Sequence, residues 1–147
     1  MTTIEKVKVN VQSLYNQLWD DWYVDLGVEK SPLVVEQGDH APGYLDGSIY
    51  LFFDGYDLDA ASEPNQHDPV AEVRFMPSWQ RDLIHEMMHE YQDKVSRFSA
   101  PSKVGEALFA KYAKRFGGRG HDAWFFSAIA KHAAYFQVKP EEFVLEL

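Results

Sequence analysis

The sequence predicts an α+β fold in a single domain spanning residues 1–147. Three observations carry that prediction. Apolar residues recur at three- and four-residue spacing up to Gly27, short β-like runs follow from Leu33 to Met76, and helical spacing returns after Pro77. The expected order is an N-terminal helix, a small sheet of three or four short strands, a central helix over residues 78–95, and two further helices. With 147 residues, 46% hydrophobic and 15% aromatic, the chain can bury a real core.

The elements follow in order. Ile4, Val7, Val11, Leu14, Leu18 and Trp22 line one face of a helix over residues 4–26, and Gly27 offers its stop. After Pro32, Leu33-Val34-Val35 reads as a short strand. Gly43-Tyr44-Leu45 and the run Ser48 to Phe53 flank Asp46-Gly47, a two-residue hairpin signal. Residues 54–70 read as a polar, acidic loop whose aspartates lack the spacing of an EF-hand. Ala71 to Met76 alternates as a further strand. Ser78 then opens the central helix as a cap. Helices over about 102–116 and 121–136 follow, separated by Gly117-Gly118-Arg119-Gly120, and the tail from Pro140 is ambiguous.

Composition excludes several classes. The chain has no cysteine, so neither disulfides nor thiolate metal ligands are available, and any transition metal falls to His, Asp or Glu. The net charge of −9, from 14 basic and 23 acidic residues, opposes direct binding to nucleic acid. No apolar run is long enough to cross a membrane. The opening residues, MTTIEKVKVNVQ, lack the apolar core of a secretory signal, which points to the cytoplasm. The oligomeric state is not legible.

The chemistry concentrates in His85-Glu86-Met87-Met88-His89. Residues four apart on a helix share a face about 6 Å apart, so both imidazoles can reach one metal ion. Glu86, displaced by roughly 100° around the axis, can touch a water on that ion without ligating it. Zinc lowers the pKa of such a water and a neighbouring carboxylate takes its proton, which is the logic of the HExxH pattern in zinc peptidases. The flanking residues agree. Ile84, Met87, Met88, Tyr91 and Val95 fall on one side, while Asp82, His85, Glu86, His89 and Asp93 fall on the other, with Glu90 and Lys94 elsewhere.

A catalytic zinc needs a third protein ligand. The candidates are His121, Glu106, His132 and His67. His121 and His132 lie about 16 Å apart along a continuous helix and cannot share an ion. A ligand must be held tightly, which suits His121 at a helix start better than His67 in a long loop.

His85-Glu86-Met87-Met88-His89 followed by Gly120-His121-Asp122-Ala123-Trp124-Phe125 resembles the SprT-like zinc metallopeptidases, a zincin family. There a second motif, His-Gly-x-x-Phe or Trp, opens a helix and brings the third histidine. The resemblance covers most of the chain, although only these two short motifs are specific. It implies a zincin-like fold, one Zn2+ ion on His85, His89 and His121, Glu86 as general base, and a protein or peptide substrate. Two departures stand out: Asp122 occupies the position where the family usually has Gly, and an extra helix carrying Glu106 lengthens the interval, keeping Glu106 as the alternative third ligand. Relatives with this core often act on DNA-associated proteins through separate DNA-binding segments, which this chain does not show. Compact stand-alone members are frequent in bacteriophages, which implies a phage or prophage origin and a host-cytoplasmic location. Two other functions compete with the peptidase. One is a zinc-binding protein with weak turnover and a structural or partner-binding role; the other is a hydrolase of a non-protein amide. For the tetrahedral oxyanion, Tyr112, His132 and Arg119 are available and none is preferred.

Overall fold

Thr2 starts the first helix with a reciprocal cap. Its hydroxyl accepts from the Glu5 backbone N–H at 3.3 Å, and the Glu5 carboxylate accepts from the Thr2 N–H at 3.2 Å. The computed structural model describes residues 1–63, 76–116 and 120–146. The elements are α1 (Thr3–Trp22), β1 (Leu33–Gln37), β2 (Gly43–Leu45), β3 (Ser48–Phe53), α2 (Gly55–Ser62), α3 (Ser78–Val95), α4 (Lys103–Tyr112), α5 (Ala123–Tyr135) and α6 (Pro140–Glu146). The fold is α+β, as predicted. It divides into two compact units, residues 1–68 with 77–86 and residues 69–76 with 87–147, and the division falls inside the continuous helix α3.

In the first unit, α1 buries Val7, Val11, Leu14 and Leu18 completely, the residues its periodicity nominated. It ends four residues earlier than expected, and a 3-10 turn at Val24–Leu26 carries the chain to Gly27 in the left-handed region. The sheet has strand order β1-β3-β2, with β1 parallel and β2 antiparallel to β3. The Asp46-Gly47 turn adopts positive φ at both residues, 51° and 79°, which matches the twist of a tight hairpin. Along β3, Ile49, Leu51 and Phe53 point inward and alternate with half-buried Ser48, Tyr50 and Phe52. Phe53 meets Trp79 at the start of α3, with ring centroids 6.2 Å apart.

One expectation fails in this unit. Residues 55–62 are not loop but α2. Its only apolar signal is Leu58 and the alanines at 60 and 61, too little to register as a periodic face. What stabilises it is tertiary: Ala61 is fully buried, and the Asn10 side chain on α1 donates to the Ala61 and Glu63 carbonyls at 2.9 and 2.7 Å. Those bonds satisfy carbonyls that a helix end otherwise leaves orphaned. The rest of the expected loop, and the expected strand from Ala71, lie outside the described residues except for buried Met76.

In the second unit, α4 packs on α5 with a close approach at Gly105. A methyl group on Gly105 would sit 2.7 Å from the Ser127 backbone nitrogen and 2.8 Å from the Ala123 carbonyl, so no larger residue fits without displacing backbone. The Ser127 hydroxyl donates to the Ala123 carbonyl at 2.8 Å and accepts from the Ser102 N–H at 2.9 Å, tying the starts of both helices together. The expected helix over 102–116 resolves into α4 and a 3-10 turn at Ala113–Phe116, and the ambiguous tail forms α6. Phe136 and Phe143 stack at 5.7 Å between α5 and α6. Among the described residues, no helix is long and apolar enough to cross a membrane.

Candidate metal centre

From Trp79 to Val95, every residue of α3 is at least half-buried. The polar side of the helix is therefore partly enclosed, and Glu86 and Glu90 are 5% and 1% exposed. Glu90 is covered with Lys94, its ion-pair partner at 3.5 Å. A helix enclosed on all sides with histidines and carboxylates inside it has placed polar groups where burial costs most. That cost needs a compensating interaction.

His85 and His89 stand one turn apart on α3, both half-buried. His121 reaches them from the turn before α5. The candidate ligand atoms of the three all lie within 4.8 Å of one another. A tetrahedral zinc bound about 2.0–2.1 Å from each nitrogen needs nitrogens about 3.4 Å apart, a distance within that bound.

Local chemistry explains why His121 is there. Gly120 has φ 64°, turning the chain immediately before His121. Asp122 then adopts an extended conformation, and its carboxylate accepts from the Trp124 and Phe125 backbone N–H groups at 3.0 and 3.1 Å. That cap fixes the helix start at Ala123 and leaves His121 just outside it. Asp122, the departure from the SprT-like pattern, thus has a structural role at this position. Phe125, fully buried, forms the floor: its ring lies 4.9 Å from that of His89 and 4.6 Å from that of His121, while the two imidazoles are themselves 4.9 Å apart.

The electrostatics favour a neutral imidazole at His89. Burial lowers the pKa of His89, opposed by its bond to Gln92 and by the Asp122 charge, so its imidazole is neutral at pH 7 and able to ligate. Burial and, after it, the Asp82 charge push the Glu86 carboxyl up to about 7. Asp82 is raised in turn by burial and by Asp57, against the lowering effect of Arg81. Glu86 Oε2 is buried and has no hydrogen-bond partner among the described residues. Buried carboxylate oxygens without a partner are rare, and this one belongs to the residue that follows His85 on α3. The donor set therefore fits a divalent zinc.

Among the described residues, neither Glu106 nor His132 belongs to this cluster. Glu106 is exposed on α4. His132 is fully buried beside the Phe143 ring at 6.5 Å, and burial holds its pKa well below 6.5. Tyr112 donates its hydroxyl to Glu141 at 3.2 Å. His67 and Arg119 lie outside the described residues. Sequence reasoning missed Gln92, whose carbonyl oxygen is 2.9 Å from His89 Nδ1. Its place three residues after His89, one helical neighbour away, was the available signal. No protein-family model, curated protein or solved structure matches the chain.

Proposed function

We propose that the protein is a zinc-dependent metallopeptidase that hydrolyses peptide bonds, with His85, His89 and His121 holding one Zn2+ and Glu86 acting as general base. The observation that supports this reading best is the meeting of His121 with the two α3 histidines, the first of which is followed in the chain by Glu86 with its buried, unpartnered oxygen. When bound, zinc would polarise the scissile carbonyl and lower the pKa of water towards neutrality. The protein's own groups account for the proton. Glu86 accepts it from the water as the new C–O bond forms, then delivers it to the amide nitrogen as the C–N bond breaks, leaving a carboxylic acid and an amine. A carboxyl with a pKa near 7 is matched to both halves of that transfer. Phe125 closes the floor of the site with hydrocarbon, which strengthens charge interactions above it.

The resemblance to SprT-like peptidases supports a protein or peptide substrate and a cytoplasmic setting. A zinc-binding protein with weak turnover needs the three histidines but has no use for a buried carboxylate beside them. Glu86→Gln separates the two. It should keep one zinc per chain and lower the cleavage rate of an unfolded protein substrate by at least about a hundredfold. Equal cleavage by variant and parent would remove Glu86 from the reaction.

A further inference from the structure

We propose that Gln92 is a positioning residue that selects which edge of the His89 ring faces the metal. The geometry stands on its own; its consequence for zinc rests on the peptidase reading.

Two rings pack against the plane of His89, and a hydrogen bond from its edge meets Gln92. The His121 and Phe125 rings lie against the His89 ring, each with centroids 4.9 Å away, at 49° and 40° to its plane. Both contacts tolerate a half-turn about Cβ–Cγ, which would exchange Nδ1 with a carbon. Gln92, half-buried one turn further along α3, does not tolerate it, because its Oε1 lies 2.9 Å from Nδ1. A carbonyl oxygen only accepts, so Nδ1 must carry the proton. In a neutral imidazole the lone pair then resides on Nε2, the nitrogen turned from Gln92. The reversed amide would place an N–H against Nδ1 and leave the proton on Nε2, where it would block a metal. One hydrogen bond therefore settles ring flip and tautomer together, as the partners of metal-bound histidines generally do. The acceptor here is a neutral amide instead of a carboxylate. It orients the ring without adding negative charge, so a metal on Nε2 keeps more of its power to acidify water.

Nitrogen-resolved NMR of the histidine rings in the metal-free protein at pH 8 tests the first half. His89 should be protonated on Nδ1 in the parent and in Gln92→Glu, which retains an acceptor. In Gln92→Leu it should move towards Nε2–H, the form a free histidine side chain prefers. Competition with a chelator tests the second half: Gln92→Leu should bind zinc about tenfold more weakly, and Gln92→Glu at least as tightly as the parent. Gln92→Glu should also move the pH profile of cleavage to higher pH, a change that a merely structural role would not produce. A parent protonated on Nε2, or a Gln92→Leu variant matching the parent in tautomer and affinity, overturns the proposal. If the parent binds no zinc at all, the peptidase reading falls, and the ring tautomer still decides whether Gln92 orients His89.

Discussion

The second unit places two histidines on either end of one helix and gives them opposite environments. His121 precedes α5, half-buried, beside the rings of His89 and Phe125. His132, in the last turn of the same helix, is fully buried beside Phe143. Both count equally as metal ligands in a list of residue types. Their difference lies in neighbours. His121 has two other imidazoles within ligating reach, whereas His132 stands beside the Phe143 ring. A ligand is defined by convergence, and a buried histidine outside such a cluster contributes to packing instead.

That comparison can be broken most forcefully by removing each ring in turn. His121→Ala should abolish stoichiometric zinc binding and cleavage, measured by metal analysis and turnover, while changing the unfolding free energy of the metal-free protein by about 1 kcal/mol or less. His132→Ala should keep its zinc and lose about 2–4 kcal/mol of stability in denaturant titrations, because it leaves a cavity in a close-packed region. The opposite assignment of effects would reverse the roles of the two residues.

The helix contact that supports the α5 start comes next. Gly105→Ala must push α4 away from Ser127 and Ala123, at a cost of about 1–3 kcal/mol. Zinc affinity should fall along with stability, since the same contact holds the base of the His121 turn.

Protonation sharpens the contrast further. Glu86 has a folded pKa of about 7 against an ordinary 4.5, so its favourable contribution is complete below 4.5 and lost as pH rises through 7. The metal-free protein should consequently gain up to about 3 kcal/mol at pH 8 from Glu86→Gln, and little at pH 4. His132 has the reverse sign. Its folded pKa lies below the ordinary 6.5, so its contribution is complete above 6.5 and declines as pH falls towards the folded value. Thermal melts between pH 8 and 5 should show that decline in the parent and a shallower one in His132→Leu. The smallest effect belongs to Glu106→Ala, which should change stability by no more than about 0.5 kcal/mol and leave zinc bound. Loss of zinc there would restore Glu106 as the third ligand.

Legibility followed the range of the interactions. Helix α1, the Asp46-Gly47 hairpin and the span of α3 were readable because each depends on residues within a turn or two of one another; the expected Ser78 cap was not, since that residue lies inside α3 and its hydroxyl donates to Asp57 at 3.0 Å. Helix α2 was not, since its burial against α1 and its bonds from Asn10 come from far along the chain. The enclosure of α3 was equally hidden: its sequence shows a polar face, and only packing shows that face covered.

The pairing of His85 with His89, and the place of Glu86 between them, were determined by sequence alone, because the rise and turn of an α-helix leave no other arrangement. Which distant residue joins them was decided by tertiary structure. Chain spacing left both Glu106 and His121 possible; the Gly105 contact, the Asp122 cap and the Phe125 floor bring in the histidine and leave the glutamate in solvent. Local geometry is set by bonds between neighbours, whereas convergence across many residues depends on how helices pack, and no periodicity in the chain encodes that.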